Sequence, residues 1–285
     1  MNILELKKQF QESLSEKYPL EEIQSFFNIL SENYLNLSRI QIATNPEIEV
    51  SKSDLEKFQN ALLRLRRYEP IQYIVGETEF YGLPIKVNNY TLIPRPETEE
   101  LVSWVLDEIS ASSDAAENKT ILDIGTGSGC IAISVAKHIK NANVSAIDIS
   151  EEALKIARYN AEINAVNVSF LKTDVLKANS LKQNFDIIIS NPPYVRELEK
   201  EQMQENVLKF EPNTALYVKN EDPLLFYRVI SILAKKHLKP GGKLFFEINE
   251  YLSEELAALL KSKGFKDIEV KQDIFGKDRM VKCNL

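Results

Sequence analysis

Beyond residue 119 the chain alternates short apolar runs with segments of helical period, and few folds accept that pattern. The runs Thr120–Ile124, Asn143–Asp148, Val168–Leu171 and Phe185–Ser190 have strand length, while Cys130–Ile139 and Glu151–Asn164 between them repeat apolar residues at helical spacing. Strands apolar along their whole length, joined by helical crossovers, predict a mainly parallel sheet covered by helices on both faces. Further strand candidates are Lys243–Ile248, Ile268–Asp273 and Met280–Cys283. The last two meet around Phe275-Gly276 and predict an antiparallel pair at the sheet edge. The fold class is therefore α/β, with a Rossmann-like, mostly parallel sheet. Ligands of such sheets sit at the carboxyl ends of the strands.

The residues before this region have a different texture. Ile23, Phe26, Phe27, Leu30, Tyr34 and Leu37 recur at helical spacing, and so do Leu55, Phe58, Leu62 and Leu65 after Ser53, where Glu56 would complete a capping box. From Glu69, prolines and glycines punctuate short β-prone pieces such as Ile85–Val87, which reads as a hairpin-like connector. A helix is predicted from Pro96 to Ile109, with proline in its first turn beside Glu97, Glu99 and Glu100. Residues 110–119 are small and polar and read as a loop. The expected organisation is a helical domain over 1–69, a connector over 70–96 and the main domain over 97–285.

Composition narrows the function classes. With 44% hydrophobic and 27% charged residues, a chain of 285 residues can bury a substantial core. Its formal charge of -7 disfavours stable binding of nucleic acid through broad phosphate neutralisation. Two distant cysteines, Cys130 and Cys283, and two histidines, His138 and His237, suggest neither a disulfide framework nor a metal site. No apolar run approaches the ~20 residues of a membrane span. Glu5, Lys7 and Lys8 interrupt the apolar residues of the amino terminus, unlike a signal peptide. A soluble cytoplasmic protein without a membrane or metal partner is expected; oligomeric state is not legible.

The strand Thr120–Ile124 runs into Gly125-Thr126-Gly127-Ser128-Gly129 and then a helix. Glycines let the backbone approach a ligand closely beside the positive helix end. A dinucleotide pattern G-x-G-x-x-G would need glycine at position 130, where Cys130 stands. The pattern present is D-x-G-x-G-x-G, headed by Asp123. A carboxylate there would repel a pyrophosphate but suits the ammonium group of a methionine-derived cofactor. Asp148, ending the second strand, can accept hydrogen bonds from ribose hydroxyls. Asp174, after the third, can receive an adenine amino group. Both also suit helix caps, an alternative about as good for Asp174 alone.

The fourth strand ends in Asn191-Pro192-Pro193-Tyr194. A planar amide or amine nitrogen is a poor nucleophile because its lone pair is delocalised. Accepting hydrogen bonds from both of its N–H groups orients it and stabilises the charge that develops on attack. Asn191 offers a side-chain oxygen and Pro192 a carbonyl, while neither proline presents a backbone N–H to the substrate's donors. Tyr194 offers a flat face, so its ring is expected to matter more than its hydroxyl. No general base is required, because the proton can leave after the transfer. In isolation the tetrapeptide could be an ordinary turn. At the end of a buried strand, two strands after a glycine loop with acidic partners, it reads as a catalytic turn.

Taken together, these features resemble the HemK/PrmC family of protein-(glutamine-N5) methyltransferases that act on peptide chain release factors. The resemblance extends to Pro70-Ile71-Gln72-Tyr73-Ile74-Val75-Gly76, Phe80-Tyr81-Gly82, and Leu92-Ile93-Pro94-Arg95-Pro96-Glu97-Thr98-Glu99. Glu211-Pro212 with Ala215-Leu216, and Asp273 with Gly276, Asp278 and Arg279, also match. It implies a seven-stranded class I methyltransferase domain that uses S-adenosylmethionine and releases S-adenosylhomocysteine, preceded by a helical domain that helps engage the release factor. By position, Asp123, Gly125, Thr126, Gly127, Ser128, Gly129, Asp148, Asp174, Val175 and Asn191 would surround the cofactor. Asn191, Pro192, Pro193 and Tyr194 would hold the glutamine of a Gly-Gly-Gln loop, under a loop carrying Arg95 and Glu97. Those two residues also suit an ordinary helix start. The sequence departs from the family at Asn220-Glu221-Asp222-Pro223, at Asn249 where glycine is common, at Leu252 in place of glutamine, and at Val175 where an aromatic residue sometimes stands.

Two other acceptors pose the same chemical problem: an exocyclic amine of DNA or ribosomal RNA after base flipping, and a glutamine of a ribosomal protein. The clusters Arg64, Arg66, Arg67 and Lys235, Lys236, Lys239 are small for a nucleic-acid surface and read as solvated faces.

Overall fold

The computed structural model describes residues 1–111 and 118–285, so most of the small polar stretch 110–119 lies outside the described residues. The chain divides into two compact units, one of Met1–Gly76 with Gln204–Phe210, the other of Glu77–Met203 with Glu211–Leu285.

The first unit is helical: α1 (Ile3–Leu14), α2 (Leu20–Leu35), α3 (Arg39–Thr44), α4 (Lys52–Leu65) and α5 (Ile71–Val75). Its core gathers the residues that carried the helical period, with Phe10, Phe27 and Phe58 fully buried and packed ring to ring at 5.6 to 6.4 Å. The predicted cap of α4 is displaced by two residues. Ser51, not Ser53, is the N-cap, accepting from the Asp54 amide at 3.1 Å, and Glu56 closes no box. Ser51 precedes the whole apolar stripe by one more half-turn, so its hydroxyl reaches an amide that would otherwise lack a partner. Residues 71–75, read as part of the hairpin-like connector, form a turn of helix closed by Gly76 at φ 79°.

The second unit begins with a hairpin, β1 (Glu77–Phe80) and β2 (Leu83–Lys86), followed by α6 (Pro96–Ser110). Then β3 (Thr120–Ile124), α7 (Cys130–His138), β4 (Asn143–Asp148), α8 (Glu151–Ile163), β5 (Val168–Lys172) and β6 (Phe185–Ser190) alternate as expected. Shorter pieces follow: β7 (Val195–Arg196), α9 (Glu205–Phe210, in the first unit), α10 (Asn213–Leu216) and β8 (Tyr217–Val218). The chain ends in α11 (Leu225–His237), β9 (Leu238–Glu247), α12 (Ser253–Ser262), β10 (Lys266–Gln272) and β11 (Asp278–Asn284). The seven-stranded sheet has the order β10-β11-β9-β6-β3-β4-β5. Pairs among β9, β6, β3, β4 and β5 are parallel, while β11 runs antiparallel to both β9 and β10. Strand order reverses between β3 and β6, which leaves a crevice at their carboxyl ends.

Strands β5, β10 and β11 run slightly longer than their apolar patterns, and β9 does so most. β9 starts at Leu238 rather than Lys243, through Pro240, Gly241 and Gly242. A bulge absorbs these breakers: Phe185 pairs with Leu238, yet Ile187 pairs with Lys243. Gly242 lies so close to the neighbouring backbone that a Cβ would come within 2.9 Å of the Lys239 carbonyl and 3.1 Å of that of Asp186. Among the described residues no helix is long and apolar enough to cross a membrane.

Candidate active site

The glycine loop is pinned to the end of the neighbouring strand. The amides of Gly125 and Thr126 both donate to the Ile147 carbonyl, at 2.9 and 3.1 Å. The Gly127 amide donates to Asp148 Oδ2 at 2.9 Å, and Ser150 donates its amide to Oδ1 at 2.8 Å. Below the loop, Asn160 of α8 donates to the Ser128 carbonyl at 2.9 Å. Gly129, at φ 84°, packs against α8, where a Cβ would fall 3.0 Å from both Ala157 Cβ and Ile133 Cδ1. Only glycine fits both that conformation and that space.

A cavity of about 420 Å³ opens at the strand ends, within the ~300–1,000 Å³ range of small-molecule sites. Of the predicted cofactor residues, Gly125, Gly127, Asp148, Asp174, Val175 and Asn191 line it, together with Pro192 and Pro193. Thr126, Ser128 and Gly129 belong to the loop but not to the cavity wall. Asp123 lies behind the loop and is fully buried. Its Oδ2 accepts from the Thr126 hydroxyl at 2.6 Å, while Oδ1 has no hydrogen-bond partner. Burial pushes its carboxyl up to about 7, against the Thr126 hydrogen bond and with help from the charge of Asp148. The loop is thus shaped from beneath by Asp123. Asp148 faces the cavity; burial raises its pKa too, opposed by the amides of Ser150 and Gly127. Asp174 lines the cavity, but no helix follows it to be capped: its Oδ1 accepts from the Leu176 amide at 3.1 Å within a turn.

A second, smaller cavity of about 50 Å³ shares Leu92, Asn191, Pro192 and Ala215 with the first and adds Arg95, Tyr194 and Glu247. Arg95 pairs with the buried carboxylate of Glu211, which also accepts from the Ile93 amide at 3.2 Å. The Leu92–Glu99 and Glu211-Pro212 stretches therefore meet in one ion pair. Glu97 lines neither cavity; its charge acts on Glu247.

Two residues of the site escaped the sequence reading. Glu247, at the end of β9, accepts from the Tyr194 hydroxyl at 2.9 Å and from Thr98 Oγ1 at 2.6 Å. Asn191 Nδ2 donates to the same Thr98 oxygen at 3.3 Å. Burial raises the Glu247 carboxyl above its ordinary range, opposed by the Thr98 and Tyr194 hydrogen bonds and the charge of Arg279. A signal was available, since Glu247 is a lone acid inside the apolar run Leu244–Ile248. Asn249, a departure from the family pattern, has a structural use: its Nδ2 donates to the Tyr194 carbonyl at 3.1 Å and to Glu199 at 3.0 Å, which fixes the turn. Asn220 accepts from the Leu198 amide at 3.0 Å and Asp222 pairs with Arg228, so that departure also carries local contacts. Leu252 is buried at the start of α12.

Comparison with known proteins places the chain in a family. Residues 105–214 match the family model described as the methyltransferase small domain, and residues 5–76 match that of the PrmC N-terminal domain. A Flavobacterium psychrophilum protein named release factor glutamine methyltransferase is 48% identical over 284 residues, covering 100% of this chain and 99% of its own. A Bacteroides thetaiotaomicron protein of the same name is 44% identical over 274 residues, covering 96% of each. The crystal structure of a methyltransferase from Pyrococcus furiosus shares the fold with a TM-score of 0.53 at 22% identity, over 79% of this chain and 98% of that one.

Proposed function

The chain belongs to the family of release factor glutamine methyltransferases, and from that premise we propose how its own residues carry the reaction. It transfers the methyl group of S-adenosylmethionine to the side-chain amide nitrogen of the glutamine in the Gly-Gly-Gln loop of a release factor. The single observation that supports the siting best is that Asn191 and Pro192 stand on the shared wall of the two cavities. The larger is sized for the cofactor and the smaller is bounded by Tyr194 and Glu247.

The residues present fit S-adenosylmethionine. Gly125 and Gly127 put bare backbone on the cavity wall where a ligand can come close, and each Asp148 oxygen keeps a lone pair for a ligand hydroxyl. Asp174 and Val175 line the same cavity. When bound, this group supplies an electrophilic methyl on a sulfonium. The protein supplies orientation. Asn191 Oδ1 and the Pro192 carbonyl accept the two N–H groups of the glutamine amide, and Tyr194 covers its plane. These acceptors stabilise the positive charge that grows on nitrogen during attack. The proton departs to solvent after transfer. Arg95, held by Glu211, borders the smaller cavity on the Leu92–Glu99 side, whereas Glu97 acts from outside it through its charge on Glu247. The helical domain contributes recognition of the release factor, in the cytoplasm where that partner works.

The direct test is incubation with radiolabelled S-adenosylmethionine and, separately, a release factor, its Gly-Gly-Gln glutamine-to-alanine variant, duplex DNA and ribosomal RNA. Label on the release factor and not on its variant is expected. Label on nucleic acid alone would overturn the reading.

A further inference from the structure

Glu247 is 1% exposed at the end of β9, where it helps line the smaller cavity. Each of its oxygens takes one hydroxyl, Oε2 from Thr98 at 2.6 Å and Oε1 from Tyr194 at 2.9 Å. Thr98 also stands 3.3 Å from Asn191 Nδ2. A hydroxyl has one proton and two lone pairs, whereas a carboxylate only accepts. With its proton committed to Glu247, Thr98 has only lone pairs to offer Asn191. The NH₂ end of the Asn191 amide must then face Thr98, and Oδ1 turns toward the cavities that Asn191 lines.

The two ends of a carboxamide have nearly the same shape, so packing alone cannot choose between them. The choice decides the reaction. Oδ1 accepts from a substrate N–H, whereas an NH₂ in its place sets donor against donor. We propose that Glu247 is a positioning residue, an acceptor-only anchor that fixes the polarity of Thr98 and thereby turns Asn191 Oδ1 toward the substrate amide. The inference rests on the reading of Asn191 as the amide acceptor.

Protonation of Glu247 would undo the arrangement, because a neutral acid can donate to Thr98 and release the Thr98 proton toward Asn191. The groups facing Glu247 are Glu97 of α6, Arg279 of β11 with its partner Asp273 at 3.1 Å, Cys130 of α7 and the hydroxyl of Tyr194. Tyr227 of α11 donates to the Glu247 backbone carbonyl at 3.1 Å. Arg279 favours the charged form and Glu97 opposes it, while burial shifts the carboxyl upward. Turnover is therefore full above the raised pKa of Glu247 and falls as pH drops through it.

The test uses the full chain, a release factor and S-adenosylmethionine, with Glu247→Gln, Thr98→Val and Thr98→Ser. Glu247→Gln keeps the shape but brings an NH₂ that can donate to Thr98. Its kcat is expected to fall by about a hundredfold, the scale of losing one preorganised hydrogen bond at the reacting centre. Calorimetric binding of S-adenosylmethionine should stay within about threefold, and the acid limb of the pH profile should vanish. Thr98→Val should lose kcat similarly, and Thr98→Ser should restore it. Wild-type kcat in Glu247→Gln, or equal turnover in the Val and Ser variants, would overturn the inference. If Glu247→Gln does not fold, the Thr98 pair decides alone. Failure of the wild type to label the release factor would instead sink the underlying reading, a distinguishable result.

Discussion

Asp148 uses one lone pair of each oxygen on the backbone, at Gly127 and Ser150, and keeps the others for a ligand. Charge-assisted hydrogen bonds of this kind contribute about 1.5–3 kcal/mol, so Asp148→Ala should weaken S-adenosylmethionine binding by roughly ten- to hundredfold. Calorimetry reads this, and unchanged affinity would remove Asp148 from the cofactor site. Tyr194 makes a sharper case. Its ring covers the amide, but its hydroxyl belongs to Glu247. Tyr194→Phe should keep most activity at alkaline pH. Loss of a donor to the charged carboxylate raises the pKa of Glu247 further, so the acid limb should move to higher pH. Tyr194→Ala should be severely impaired throughout, and equal profiles for the two variants would refute the division of roles. At this scale the sequence disclosed what is local. The glycine loop and Asn191–Tyr194 are contiguous, so their chemistry can be argued from neighbours. Thr98 and Glu247 are 149 residues apart and meet only through the fold. Asp123 could be placed at a strand end but not on a side of the loop, because that depends on the packing beneath it.

Elements were legible wherever period and length agreed. β3, β4 and β6 begin and end as their apolar runs do, and α6 extends the predicted helix by one residue. β9 differed because its apolar run starts only at Lys243, whereas a bulge carries Pro240, Gly241 and Gly242 into the sheet before it. The cap of α4 differed because three serine and aspartate positions compete within four residues, and side-chain reach decides among them. The junction of the glycine loop with α7 and α8 gives a prediction at this scale. Gly129→Ala meets both a left-handed φ and two carbon atoms at 3.0 Å. It should destabilise the protein by about 2 kcal/mol and lower the melting temperature, with S-adenosylmethionine binding reduced further as the loop shifts. A melting temperature equal to wild type would show that α8 yields freely there.

Among the described residues, one core gathers within α1 to α5 and another lies against the seven-stranded sheet. Removing a ring from the first should therefore leave the chemistry of the second in place. Phe58→Ala opens a cavity beside Phe10 and Phe27 and should cost about 3–5 kcal/mol. Release factor methylation is expected to fall steeply while S-adenosylmethionine still binds. Parallel loss of both would contradict independent cores. Along the sheet, β11 follows β10 in the chain yet lies inside it, against β9. During synthesis, a ribosome that has made everything through β10 has still produced a sheet whose β9 edge is bare. Arg279, which favours the charge on Glu247, comes with that strand. Until that inner strand is delivered, the surroundings of Glu247 lack the charge of Arg279, so strand order ties the pairing of the sheet to the electrostatics at the end of β9.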